Sequence, residues 1–377
     1  MKHIFYISAI FCSLLLSRCI TQFVPETDED QELIVVEGLI TDQPEVYKVK
    51  VSLSMPLGKK SVIKPLRGCN VYITYGQNNM HLLNESGSSG IYVTDPAVFT
   101  GEIGRKYTLH INTNSSTINH YSYQSLPMEM YGVPPIDSLY YEKVTIKPKA
   151  ERSGEWEGCQ IYLNTGDTEG LCRNYRWDYT ETWKFQLPYF VPNQTCWITC
   201  NSADIHVKST SVLAVNRISR LPVKYISNES DMLAVRYSIL VNQYSISEDE
   251  FSYWDKLRKI SEEVGGLYDI TPATIPGNIF CVEDPSEQVL GYFSVSAKNS
   301  KRIYIDEYFK GLVNLYSDCP SDTIYGSAPI PNLNTSAWII VDEPYEMPPF
   351  KIITNRKGCA DCTVRGTNVQ PDFWVDY

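Results

Sequence analysis

Apolar and polar residues alternate along most of this chain, and a period of two predicts strands. The pattern is sharpest over residues 175–187. There Tyr175, Trp177, Tyr179, Trp183, Phe185 and Leu187 share one face, and Arg176, Asp178, Thr180, Thr182, Lys184 and Gln186 the other. Glu181 alone breaks the register and sets a carboxylate among aromatics. Such a residue is a binding group with a raised pKa, half of an ion pair with an arginine (Arg217, Arg220 and Arg236 are available), or the point where the strand meets solvent. Further strands are predicted over residues 33–39, 47–53, 71–75, 107–111, 138–146, 160–164, 212–215, 221–226, 233–241, 289–295, 302–305 (after a turn at 298–300) and 338–341.

The period lengthens once. Phe251, Trp254, Leu257, Ile260 and Val264 recur at three- and four-residue steps, the stripe of one amphipathic helix over about 248–264. Ser247 followed by Glu250 reads as a capping box, and Gly265-Gly266 as a left-handed stop. The stripe must be buried on something, and a sheet face is the expected surface. Residues 310–316 read as a short helical turn and 320–336 as a long surface loop. Phe373 and Trp374 are expected to tuck back against the domain. The fold class is therefore mainly β.

The 377 residues allow two domains, and 43% hydrophobic with 20% charged residues is the balance of a folded protein. Residues 33–120 read as a small β-sandwich, 121–137 (Pro127, Pro134, Pro135) as a semi-rigid connector, and 138–377 as a larger β-rich domain. The runs RGCNVYITY, GIYVTD and GEIGRKYTLHI resemble immunoglobulin-like or carboxypeptidase-regulatory-like sandwiches, which usually position other modules. A net charge of −11 supplies no basic stripe for nucleic acid.

Lys2 and His3 precede the apolar run 4–16, so residues 1–18 read as a signal peptide; no other transmembrane candidate follows. Leu16-Ser17-Arg18-Cys19 resembles a bacterial lipoprotein signal, in which Cys19 is lipidated, although Arg18 stands where a small residue is usual. Residues 19–32, with five carboxylates from Glu26 to Glu32, form an acidic tether that is similar to surface-export signals of Bacteroidota lipoproteins.

Eleven cysteines, less Cys12 and Cys19, leave nine. In an exported protein Cys159, Cys172, Cys196, Cys200, Cys281, Cys319, Cys359 and Cys362 are expected in disulfides of open connectivity, with Cys69 the free thiol. A zinc site from Cys281, Cys319, Cys359 and Cys362 is the weaker alternative.

Enzyme chemistry finds little support. The five histidines are scattered, and no HExxH, GxSxG or phosphate loop is present. The segment NTGDTEG (164–170) lacks calcium-loop spacing and reads as a turn. No cofactor or metal is assigned, and no enzymatic activity.

The segments YRWDYTETWKF, FSYWDKLRKISEEVGGLYD, PGNIFCVEDPSEQVLGYFSVS, KRIYI and CADCTVRGTNVQPDFW, in this order, resemble the domain of unknown function 4249 family of Bacteroidota outer-membrane lipoproteins. Cys69 departs from the family's small apolar residue. The resemblance implies a lipid-anchored, surface-exposed outer-membrane protein that binds a ligand or assists a TonB-dependent receptor. An adhesion or envelope-structural role is the alternative, and a hydrolase a distant third. Asp137-Ser138-Leu139 and Asp322-Thr323-Ile324 resemble that phylum's O-glycosylation signal, making Ser138 and Thr323 candidate acceptors.

Overall fold

In the computed structural model, residues 32–54, 64–77, 79–114, 120–146, 155–170, 172–263, 275–316, 319, 321–326, 339–345 and 347–376 are described. The signal, Cys19, most of the acidic tether, Val264, Gly265-Gly266 and most of the 320–336 loop lie outside them.

Two cores hold the chain. The first joins two sheets. One carries Val289–Val295, Ile34–Ile40, Lys48–Leu53, Ile91–Val93 and Asn84–Glu85 in spatial order; the other carries Ile279–Cys281, Ser122–Ser125, Lys106–Asn112, Asn70–Tyr75 and Asn79–Leu82. Alternation decides what fills the space between them: Ile34, Val36, Val49, Val51, Val71, Ile73, Leu109 and Ile111 are all buried. The second core lies between a three-stranded sheet (Ile136–Ile146, Trp156–Gly166, Arg217–Ile226) and a sheet built on Asn174–Gln186 and Arg236–Ser245. Tyr175, Trp177, Tyr179, Trp183 and Phe185 point into it, as the register predicts.

The first sandwich is not confined to residues 33–120. Val289–Val295 pairs parallel with Ile34–Ile40, and Ile279–Cys281 pairs with Ser122–Ser125. The chain explains how. Arg236–Ser245 and Lys298–Ile305 are antiparallel neighbours in the second sandwich, and what joins them is the helix plus the two strands that complete the first. The family-like stretch 247–306 thus stitches the halves together.

The connector is pinned on both sides. Ser122–Ser125 and Met128–Glu129 are strands of the first sandwich. Gln243 Nε2 donates to Pro134 O at 2.8 Å, Ser245 Oγ to Tyr131 O at 2.6 Å, and Ile136 N to Asn299 Oδ1 at 3.0 Å.

Three local expectations change. Residues 212–215 form an exposed loop, because among the described residues a neighbouring strand is found for Arg217–Ile226 and not for them. Residues 298–300 belong to a strand, and 310–316 make turns without a helix.

The cysteines pair less than expected. Cys196–Cys362 and Cys319–Cys359 are bridged, whereas Cys159, Cys172 and Cys281 are buried free thiols and Cys200 is exposed and free, as Cys69 is buried and free. Cys159 and Cys172 pack in the second core and Cys281 in the first, each as a small apolar side chain. The two bridges also consume three of the four candidate zinc ligands, and the fourth, Cys281, sits in the other core. Both bridges hold the C-terminal tail. Trp374 is buried edge-on to Trp197 and Tyr304, and Arg302 lies over the Phe373 ring at 3.7 Å.

Candidate functional site

The helix (α1, Glu248–Glu263) begins where the sequence places its cap. Ser247 Oγ accepts from Glu250 N at 3.1 Å. The reciprocal half of the box does not form. The Glu250 side chain turns inward and is fully buried, its Oε1 accepting from Ser294 Oγ at 2.6 Å and Trp254 Nε1 at 3.2 Å, its Oε2 without a partner among the described residues. Tyr253 packs against Tyr292 with the rings tilted by 36° and their centroids 4.8 Å apart, so the helix packs on the outer face of the sheet that contains Val289–Val295.

That packing is incomplete. Phe251, Trp254, Leu257 and Ile260 are each only half-buried. Beside them opens a cleft of about 840 Å³. Its floor is the outward face of the first sandwich (Val35, Leu39, Leu290), one wall is the helix (Trp254, Leu257, Ile260), and the other is the outer face of the second sandwich (Arg176, Asp178). A mostly apolar concavity between two domains, with few polar groups, has the general form of a ligand site.

Three polar features mark it. The Arg176 guanidinium lies over the rings of Tyr244 (4.8 Å) and Trp254 (4.9 Å), and its buried Nε has no hydrogen-bond acceptor among the described residues. Asp178 Oδ1 accepts from Asn242 Nδ2 at 2.7 Å and Tyr244 Oη at 3.3 Å. Lys50 and Glu37 pair at 3.5 Å on the floor. This array offers stacking surface and charge at fixed places. Among the described residues no group of three or more His, Cys, Asp or Glu could hold a metal ion.

Burial lifts the Glu250 carboxyl above its ordinary 4.5, against the opposing pull of the Arg176 charge and of its two hydrogen bonds. The stability gained from its proton is full below 4.5 and is lost as pH rises through the folded value. Glu250→Gln is therefore expected to be more stable than wild type at neutral pH and equal to it near pH 4. Urea titrations at both conditions check this, and an equal difference at both would mean that burial is not the cause.

The residues singled out by sequence lie elsewhere. Trp177 and Trp183 are core side chains, and Trp177 Nε1 donates to Gln243 Oε1 at 2.9 Å. Glu181 is paired, but with Lys224 (3.2 Å) and the Tyr237 hydroxyl (2.8 Å); none of Arg217, Arg220 and Arg236 is its partner. Asp167 closes the 164–170 turn by accepting from the N–H groups of Glu169, Gly170 and Cys172. Ser138 is half-buried and accepts from Asn164 Nδ2 at 2.7 Å, whereas Thr323 is exposed on a short strand. Arg176 was hidden in the polar half of an alternating strand, and nothing in its spacing separates it from a solvated residue.

A family model described as a domain of unknown function, DUF4249, matches residues 20–302. The match contains the helix and every residue named as lining the cleft, and it ends before the bridged tail. No curated protein matches the chain.

Proposed function

This chain belongs to the DUF4249 family, and we propose that it is a lipid-anchored, surface-facing outer-membrane protein that captures a ligand in the cleft beneath the helix, as an accessory of a TonB-dependent receptor. The observation that carries the ligand-binding part is the half-buried helix stripe over an interdomain cleft containing a ring-clamped Arg176, whose buried Nε has no hydrogen-bond partner among the described residues. The lipid anchor rests on Cys19 behind an apolar signal, and the receptor on the resemblance described above.

The test is affinity capture of the tagged full chain from gently solubilised outer membranes, with mass spectrometry of the partners and of the N-terminal peptide. A lipidated Cys19 and a stoichiometric β-barrel receptor are expected. An unlipidated chain, or one without a barrel partner, would move the reading to adhesion or envelope structure. Leu257→Glu, on the cleft wall, is expected to reduce captured ligand roughly tenfold or more; capture equal to wild type would remove the cleft from the argument.

A further inference from the structure

The sequence Val212-Leu213-Ala214-Val215 is strand-forming, yet it lies in a loop with all four side chains in solvent. Val212 is 93% exposed, Val215 69% and Leu213 42%. Four consecutive exposed apolar residues are a liability for an isolated soluble surface and mark a place that meets an apolar partner.

The loop is built to display them. Thr210 N donates to Arg173 O at 2.7 Å, Thr210 Oγ1 to Asn216 Oδ1 at 2.6 Å, Asn216 Nδ2 to Cys172 O at 2.6 Å, and Leu213 N to Thr210 O at 2.9 Å. The base is fixed on the second sandwich, so little ordering entropy remains to be lost on contact.

Charge selects the partner. Arg173, Lys208 and Arg217 surround the loop, all exposed and none in an ion pair among the described residues; Glu169 is the exposed carboxylate of the adjoining turn. In a chain of net charge −11 this is a local reversal of sign. Aliphatic side chains flanked by cations match an anionic lipid surface better than a protein hot spot, whose anchors are typically aromatic.

We propose that residues 211–215 are a membrane-contacting tip whose aliphatic side chains enter the interfacial layer of a bilayer with anionic headgroups, while Arg173, Lys208 and Arg217 rest on those headgroups. The tip acts independently of the cleft and would fix the orientation of a tethered protein.

A nitroxide at Val212→Cys, in a Cys200→Ser background of the full chain reconstituted in phosphatidylcholine–phosphatidylglycerol vesicles, tests this. The label is expected to be reached by dissolved oxygen and shielded from a water-soluble nickel chelate. A control label at Val98→Cys, on another exposed loop, is expected to stay open to nickel. Replacing Lys208 and Arg217 by Glu, or omitting phosphatidylglycerol, is expected to weaken the insertion about fivefold or more per charge. A label at 212 as open to nickel as the control would overturn the proposal. So would shielding from both reagents, which would indicate contact between protein copies. Circular dichroism matching wild type establishes that each labelled chain is folded.

Discussion

Gly291→Ala is expected to lose at least about 3 kcal/mol and to unfold the first sandwich, because it removes the seam on which the two halves of the chain meet. Gly291 has a φ of +92°, and a Cβ there would stand 2.0 Å from the Val36 carbonyl oxygen. The seam is tight on its other side as well: a Cβ on Gly277 would stand 1.8 Å from the Gly291 oxygen. Neither neighbour is a flexible side chain that can step aside. The parallel register from Ile34↔Val289 to Ile40↔Val295 would therefore have to open. Leu290 and Tyr292, which flank Gly291 and line the cleft, would move with it. Gly104→Ala is the matched control. It shares a positive φ (+82°) but faces open space, so only the conformational term of about 1 kcal/mol applies. Urea denaturation of both variants separates the two effects. If Gly291→Ala falls no further than Gly104→Ala, the close approach to Val36 does not hold the sandwich together.

That seam also shows where sequence reading stops. Alternation reports which face of a strand is buried, and it placed Val49, Val51, Trp177 and Phe185 correctly because each fact is local. It does not report which strand lies alongside. Nothing in residues 289–295 says that they pair with residues 34–40, since the apolar pattern fits any neighbour. Asn278 is similar. Its side chain donates to Phe293 O at 2.8 Å and accepts from Phe293 N at 2.9 Å, standing in for a strand at that point, a partner that no local pattern names. The helix and its cap residue were legible because both are set within one turn. The cleft was not, because Arg176, Leu257 and Val35 come from three distant segments. The loop at 212–215 misled for the opposite reason: its propensity is that of a strand, and among the described residues no partner strand is there to satisfy it.

Glu181 was legible as an exception and not as a partner, and its environment makes the second large effect. Glu181→Ala is expected to destabilise by about 3–5 kcal/mol, since it leaves the Lys224 ammonium between the two sheets of the second sandwich without its counter-charge. Lys224→Met is expected to be about as damaging, because the Tyr237 hydroxyl alone then faces a carboxylate that is 6% exposed. Glu181→Leu combined with Lys224→Met removes both charges and is expected to recover most of the loss, so the double-mutant cycle should show strong coupling. The pair also predicts an alkaline limit. Burial pushes the Lys224 pKa down, the Glu181 carboxylate pushes it up, and the net shift is upward. Burial and then Glu181 likewise hold the Tyr237 hydroxyl well above its ordinary 10.0. With both folded values raised, their contribution is full below the ordinary values and is lost as pH rises through the folded ones. Wild type is therefore expected to lose stability in strong alkali more steeply than the Leu/Met double variant. Parallel alkaline profiles for the two proteins would show that this pair contributes no pH-dependent stability and that the core is held by packing alone.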